Sequence, residues 1–139
     1  MIKAILVVTC VLSGCATPML LRPGDVAPIT AQVSGERIAT WQRAIVVLLD
    51  EGYIPQVLNE AACYISAKQR DDVTTGALAG TTAIVMISPD GVLRVEVGGA
   101  GVYNSAADLK RDVEAVQNRL VQEIQGRAAL PPAPPIAPS

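Results

Sequence analysis

Apolar and polar positions along this chain recur with two different periods, and together they predict six elements. From about Glu36 to Glu51, Ile38, Trp41, Ile45, Leu48 and Leu49 recur at helical spacing and build one apolar face. Ser34 is a candidate N-cap, and Gly52 supplies a helix stop. Tyr53, Ile54, Val57 and Leu58 follow as a strand, with Pro55 marking it as an edge or a bulge. Cys63 to Lys68 alternates Cys63, Ile65 and Ala67 against Tyr64, Ser66 and Lys68, a second strand. Thr81 to Ser88 carries the apolar run Ile84-Val85-Met86-Ile87, and Val92 to Val97 keeps strand composition. Ser88-Pro89-Asp90-Gly91 between them is a strong turn signal, so the two segments should form an antiparallel hairpin. A second helix runs from about Ala106 to Gln125. Its stripe is Leu109, Val113, Val116, Leu120 and Ile124, with Ser105 as N-cap and Asp108 in the capping-box position.

The expected fold is therefore α+β, in the order α-β-β-β-β-α. A four-stranded antiparallel sheet would carry both helices on one face, because a helix with a single apolar stripe needs such a partner. This domain spans residues 34–126. Leu130 to Ser139 contains Pro131, Pro132, Pro134, Pro135 and Pro138, so residues 127–139 are expected to form an extended, disordered tail. That tail is either a neutral linker or a ligand for a groove.

The N-terminus changes the picture. Lys3 is followed by the apolar run Ala4 to Leu12 and by Ser13 and Gly14 directly before Cys15, the order of a secretory signal peptide. The run is far shorter than the roughly 20 residues that cross a bilayer as a helix. Leu12-Ser13-Gly14-Cys15 resembles the lipobox of bacterial lipoproteins. The resemblance implies removal of residues 1–14 and acylation of Cys15. Ala16, rather than an aspartate, implies the outer membrane, with the domain on its periplasmic face. Multiple acyl chains at about 0.8 kcal/mol per buried CH₂ make a lasting anchor. The competing reading is an ordinary cleaved signal peptide with an incidental cysteine. Pro18, Pro23, Gly24 and Pro28 give residues 15–33 the look of a tether between membrane and domain, the alternative being that Arg22 to Ala31 packs on the domain as an extended segment.

Composition then narrows the chemistry. Cleavage after Gly14 leaves 125 of 139 residues, a single small domain. With Lys3 removed, 10 basic side chains face 13 acidic ones, a net charge of −3. A weakly acidic chain without a basic cluster is a poor nucleic-acid binder, and no nucleic-acid partner is expected. The chain has no histidine, the commonest metal ligand and general base, and no phenylalanine, so its core must be aliphatic. After processing and acylation, Cys63 is left without an intramolecular partner; it is either a small buried thiol or a site of pairing between molecules.

No motif supplies a catalytic constellation. Gly98-Gly99-Ala100-Gly101 before a helix lacks the Gly-Lys-Ser/Thr ending of a P-loop and reads as a flexible connector. Asp71-Asp72 with Thr74 and Thr75 lacks the ligand spacing of a calcium loop and reads as solvated. Asp50-Glu51 stands at the unfavourable end of a helix dipole, as surface charge or as one half of a salt bridge. Trp41 is expected in the core. Without histidine, a serine nucleophile would need a lysine partner, and no Ser-x-x-Lys occurs. No enzyme activity, metal or cofactor is expected.

Residues Trp41 to Lys68 also resemble the helix-grip domains of the lipoprotein subunit of the β-barrel assembly machinery. The matching pieces are Trp41, Leu48, Leu49, Gly52-Tyr53-Ile54 and Tyr64-Ile65-Ser66-Ala67. This resemblance implies a helix-on-sheet architecture. The expected function is a lipid-anchored, non-enzymatic accessory or structural subunit docking on a larger envelope assembly. Strand alternation places Tyr64 and Lys68 on the outward sheet face, with Arg94 and Glu96 beside them, as candidate partner-binding residues. The alternative is a binding module for a periplasmic small molecule or cell-wall fragment, walled by the loops at Gln69–Gly80 and Gly98–Gly101.

Overall fold

A computed structural model describes residues 16–72 and 77–129. The elements are β1 (Thr17–Leu21), β2 (Ile29–Gln32), α1 (Arg37–Asp50), β3 (Tyr53–Asn59), β4 (Tyr64–Gln69), β5 (Ala79–Ile87), β6 (Val92–Tyr103) and α2 (Ala106–Ala129). They form one antiparallel sheet in the order β1-β6-β5-β4-β3, with β2 also on β6. The described part is α+β as expected, but the sheet has six strands rather than four. The extra two come from the segment expected to be a tether. β1 pairs with Gly99–Tyr103 and β2 with Val92–Val95, so the two short strands share one edge of the long β6. The prolines that suggested a tether are tolerated there: Pro18 sits in an edge strand, where a missing N–H costs least, and Pro23 and Pro28 lie outside both strands.

The Gly98–Gly101 stretch is likewise no connector. It lies inside β6 and pairs with both β1 and β5. Its glycines are required by close approach. A Cβ on Gly98 would lie 2.6 Å from the Leu21 carbonyl oxygen and from Pro23, and one on Gly101 would lie 2.4 Å from the Ala77 carbonyl oxygen. A side chain at either position would push β1 or the segment before β5 off the strand.

Both helices cover the face bearing Ile65, Ala67, Ala83, Val85, Ile87, Leu93, Val95 and Val97, all buried. α1 packs over β3, β4 and β5, α2 over β6, β2 and β1, and the helices touch each other. The expected α2 stripe is the buried one, Leu109, Val113, Val116, Leu120 and Ile124. In α1 the buried face is rotated from the expected stripe. It holds Thr40, Trp41, Ala44, Val47 and Leu48, while Ile38 and Leu49 are exposed. Thr40 and Ala44, both without solvent exposure, take inward positions that hydropathy alone would give to Ile38 and Leu49.

Polar tethers fix the layers. α1 begins after Glu36 without a side-chain cap, not at a capping Ser34. Instead the Arg37 guanidinium donates to the carbonyls of Ile87 (2.9 Å), Ala61 (3.3 Å) and Ala62 (3.2 Å), joining α1 to the β3–β4 turn and the end of β5. Trp41 is buried, and its Nε1 donates to the Tyr64 carbonyl at 3.2 Å. Cys63 is fully buried, and its thiol donates to the Glu60 carbonyl at 3.5 Å. Glu51 finds its partner in Arg119 of α2, 2.5 Å away. The hairpin turn closes as expected, with the Gly91 N–H donating to the Ser88 carbonyl at 3.0 Å and Gly91 at φ +83°.

Two buried tyrosines tie stability to alkaline pH. The Tyr103 hydroxyl donates to Asp112 at 2.7 Å, and burial, followed by this hydrogen bond and the Asp112 charge, pushes its pKa up to about 12. Burial likewise raises that of Tyr53. A tyrosine with a raised folded pKa stabilises the fold fully below its unfolded pKa near 10. That contribution is lost as pH climbs through the folded value. The urea midpoint should therefore drop between pH 10 and 12, and less steeply in Tyr103→Phe. A wild-type midpoint level up to pH 12 would contradict this.

Candidate functional site

The helices leave the opposite sheet face open, and the register brings the candidate residues onto it. One row across the strands reads Asn59, Tyr64, Met86, Arg94, Thr30. The next reads Val57, Ser66, Ile84, Glu96, and the third Ile54, Lys68, Thr82, Gly98. Tyr64, Lys68, Arg94 and Glu96 therefore share this face. They form two groups rather than one, because β5 runs between β4 and β6. Arg94 and Glu96 are an ion pair at 2.6 Å. Glu96 is the more covered of the two; the Arg22–Asp25 turn crosses the face beside it, and a Cβ on Gly24 would lie 3.8 Å from its carboxylate. Cys15 lies outside the described residues.

Between the two groups, on β5, the face is apolar, and it is apolar again beyond β4, on β3. Ile84 and Met86 are half-buried, and Ile54 and Val57 on the edge strand are 47% and 50% exposed. Sequence reasoning passed over these four. A signal was present: Ile84-Val85-Met86-Ile87 is continuously apolar, the pattern of a strand with both faces covered, yet the helices cover only one. The face thus carries two apolar strips interleaved with an aromatic, a lysine and an ion pair, the residue mix of a protein-recognition patch.

At the end of this face, a shallow depression of about 350 Å³ is lined by Ile54, Gln56, Lys68, Gln69, Arg70 and Asp71. Asp72 pairs with Arg70 at 3.5 Å. Of the two expected pocket walls, Gly98–Gly101 is strand, and the other begins and ends in strand, with Gln69 in β4 and Ala79 and Gly80 in β5. Among the described residues no helix is long and apolar enough to cross a membrane, and no three His, Cys, Asp or Glu side chains gather as metal ligands. No protein-family model and no curated protein matches the chain.

Proposed function

We propose that this chain is a lipid-anchored, non-enzymatic accessory subunit of the bacterial envelope. It is held to the periplasmic face of the outer membrane through Cys15 and docks a larger envelope assembly through its open sheet face. The observation that carries the docking is an exposed face on which two apolar strips, Ile84 with Met86 on β5 and Ile54 with Val57 on β3, alternate with Tyr64 and Lys68 of β4 and the Arg94–Glu96 pair of β6. A solvent-facing sheet surface ordinarily alternates to polar residues. Exposed apolar side chains interleaved with an aromatic and charges are what a partner covers. The anchor rests on the Leu12-Ser13-Gly14-Cys15 sequence.

The test is co-purification from native membranes in mild detergent. Tyr64→Ala with Arg94→Ala should lower recovery of a stoichiometric partner about tenfold or more, since truncating a hot spot costs about 2 kcal/mol or more. The melting temperature should stay nearly unchanged, because neither side chain is buried. Undiminished recovery with the double variant would move the interface elsewhere.

A second reading is a module for a small periplasmic molecule or cell-wall fragment, favoured by the depression at Lys68 and Arg70. It predicts a monomer without a protein partner whose ligand binding is lost in Lys68→Ala.

A further inference from the structure

We infer that one corner of the open sheet face, formed by Pro18, Leu20, Ala79, Ala100 and Val102, lies against the lipid surface. The inference rests on acylation of Cys15. The register makes these five side chains neighbours: Ala79 pairs with Ala100, Ala100 with Leu20, and Val102 with Pro18. They share the face opposite the helices, because Met19 and Leu21, which alternate with them in β1, pack against the core. None of the five carries a charge, and Leu20 and Val102 are 63% and 58% exposed. They are the two most exposed large apolar side chains among the described residues.

What covers this corner follows from where the chain goes. β1 begins at Thr17, so Ala16 alone separates it from Cys15. At no more than about 3.6 Å per residue, the Cys15 Cα stands within about 7 Å of the Thr17 Cα. Acyl chains on Cys15 would therefore enter the bilayer directly beside Pro18 and Val102. With β1 part of the sheet, no slack tether lets the domain drift away. An apolar corner held at the headgroup level gains by burial in the interface.

The same geometry separates this contact from the docking surface. Gly98 lies between the two regions, and there the Leu21 carbonyl and Pro23 cross the face. From Val102 back to Arg94 along β6 is eight residues, about 27 Å at strand rise. With the Val102 end on the membrane, the Tyr64–Met86–Arg94 row points into the periplasm.

The experiment uses the full-length lipoprotein in vesicles of phosphatidylethanolamine and phosphatidylglycerol doped with a nitroxide lipid. A fluorophore is placed in turn at Leu20→Cys, Val102→Cys and, as a control on exposed α1 surface, Gln42→Cys. The mass of the N-terminal peptide first reports acylation. On acylated protein, the labels at positions 20 and 102 should be quenched by the nitroxide lipid and the label at 42 should not. Quenching at 20 and 102 no greater than at 42 would overturn the membrane contact and leave the anchor standing. A second copy as the occupant would show as a dimer with both labels shielded in detergent, and would overturn it too. An N-terminal peptide without acyl mass would remove the anchor and this contact together.

Discussion

Leu48→Ala and Leu120→Ala should each lower the unfolding free energy by about 2–5 kcal/mol, the range for truncating a fully buried leucine. Both side chains have no solvent exposure, Leu48 on α1 and Leu120 on α2. The helices pack on each other and on the sheet, so a hole left at either site is walled by two layers and closes poorly. The exposed neighbour Leu49 is the internal comparison. Leu49→Ala should fall within about 0.5 kcal/mol of wild type, as surface changes do. If the buried and exposed leucines respond alike in urea melts, α1 does not present the face described above.

Gln117→Leu should rank with the core truncations although it introduces an apolar side chain into an apolar setting. Gln117 is fully buried in α2. Its Oε1 accepts from the Val97 N–H at 3.0 Å, and its Nε2 donates to the Ala27 carbonyl at 3.0 Å. Leucine satisfies neither. Leaving a buried backbone group unpaired costs about 1–3 kcal/mol; the Val97 N–H is such a group, and the carbonyl of exposed Ala27 loses its bond to α2 as well. Ala27 lies in the link between β1 and β2, so the loss should appear as faster amide exchange in both strands before global unfolding. Gln125→Leu, which gives up only an exposed 3.5 Å contact to the Gln32 carbonyl, should be nearly silent. Equal stability of Gln117→Leu and wild type would mean that the link is held by something else.

The parts legible in the sequence are those where one local rule suffices. Ser88-Pro89-Asp90-Gly91 announces its turn, and the α2 stripe from Leu109 to Ile124 is both regular and buried. Tyr64 and Lys68 reach the open face because strand alternation carries through β4 without a bulge. The misread parts depend on distant partners. Pro18 looks like a linker residue until β6 offers an edge that accepts it. Gly98 and Gly101 look like a hinge until Leu21, Pro23 and Ala77 come within a Cβ's reach. Ile38 and Leu49 look like core until packing turns Thr40, Ala44 and Val47 inward beside Trp41 and Leu48. Each error comes from reading a residue by its neighbours in sequence when its neighbours in space set its role. The consequence for the proposed function is direct: once β1 joins the sheet, the proposed membrane contact and the proposed docking face belong to one sheet.

The most direct test of the account is labelling with radioactive palmitate in the native bacterium. Wild-type protein should incorporate the label and fractionate with the outer membrane. Cys15→Ser should remain uncleaved or mislocalised and carry no label, and labelling of that variant at the wild-type level would contradict the lipid anchor.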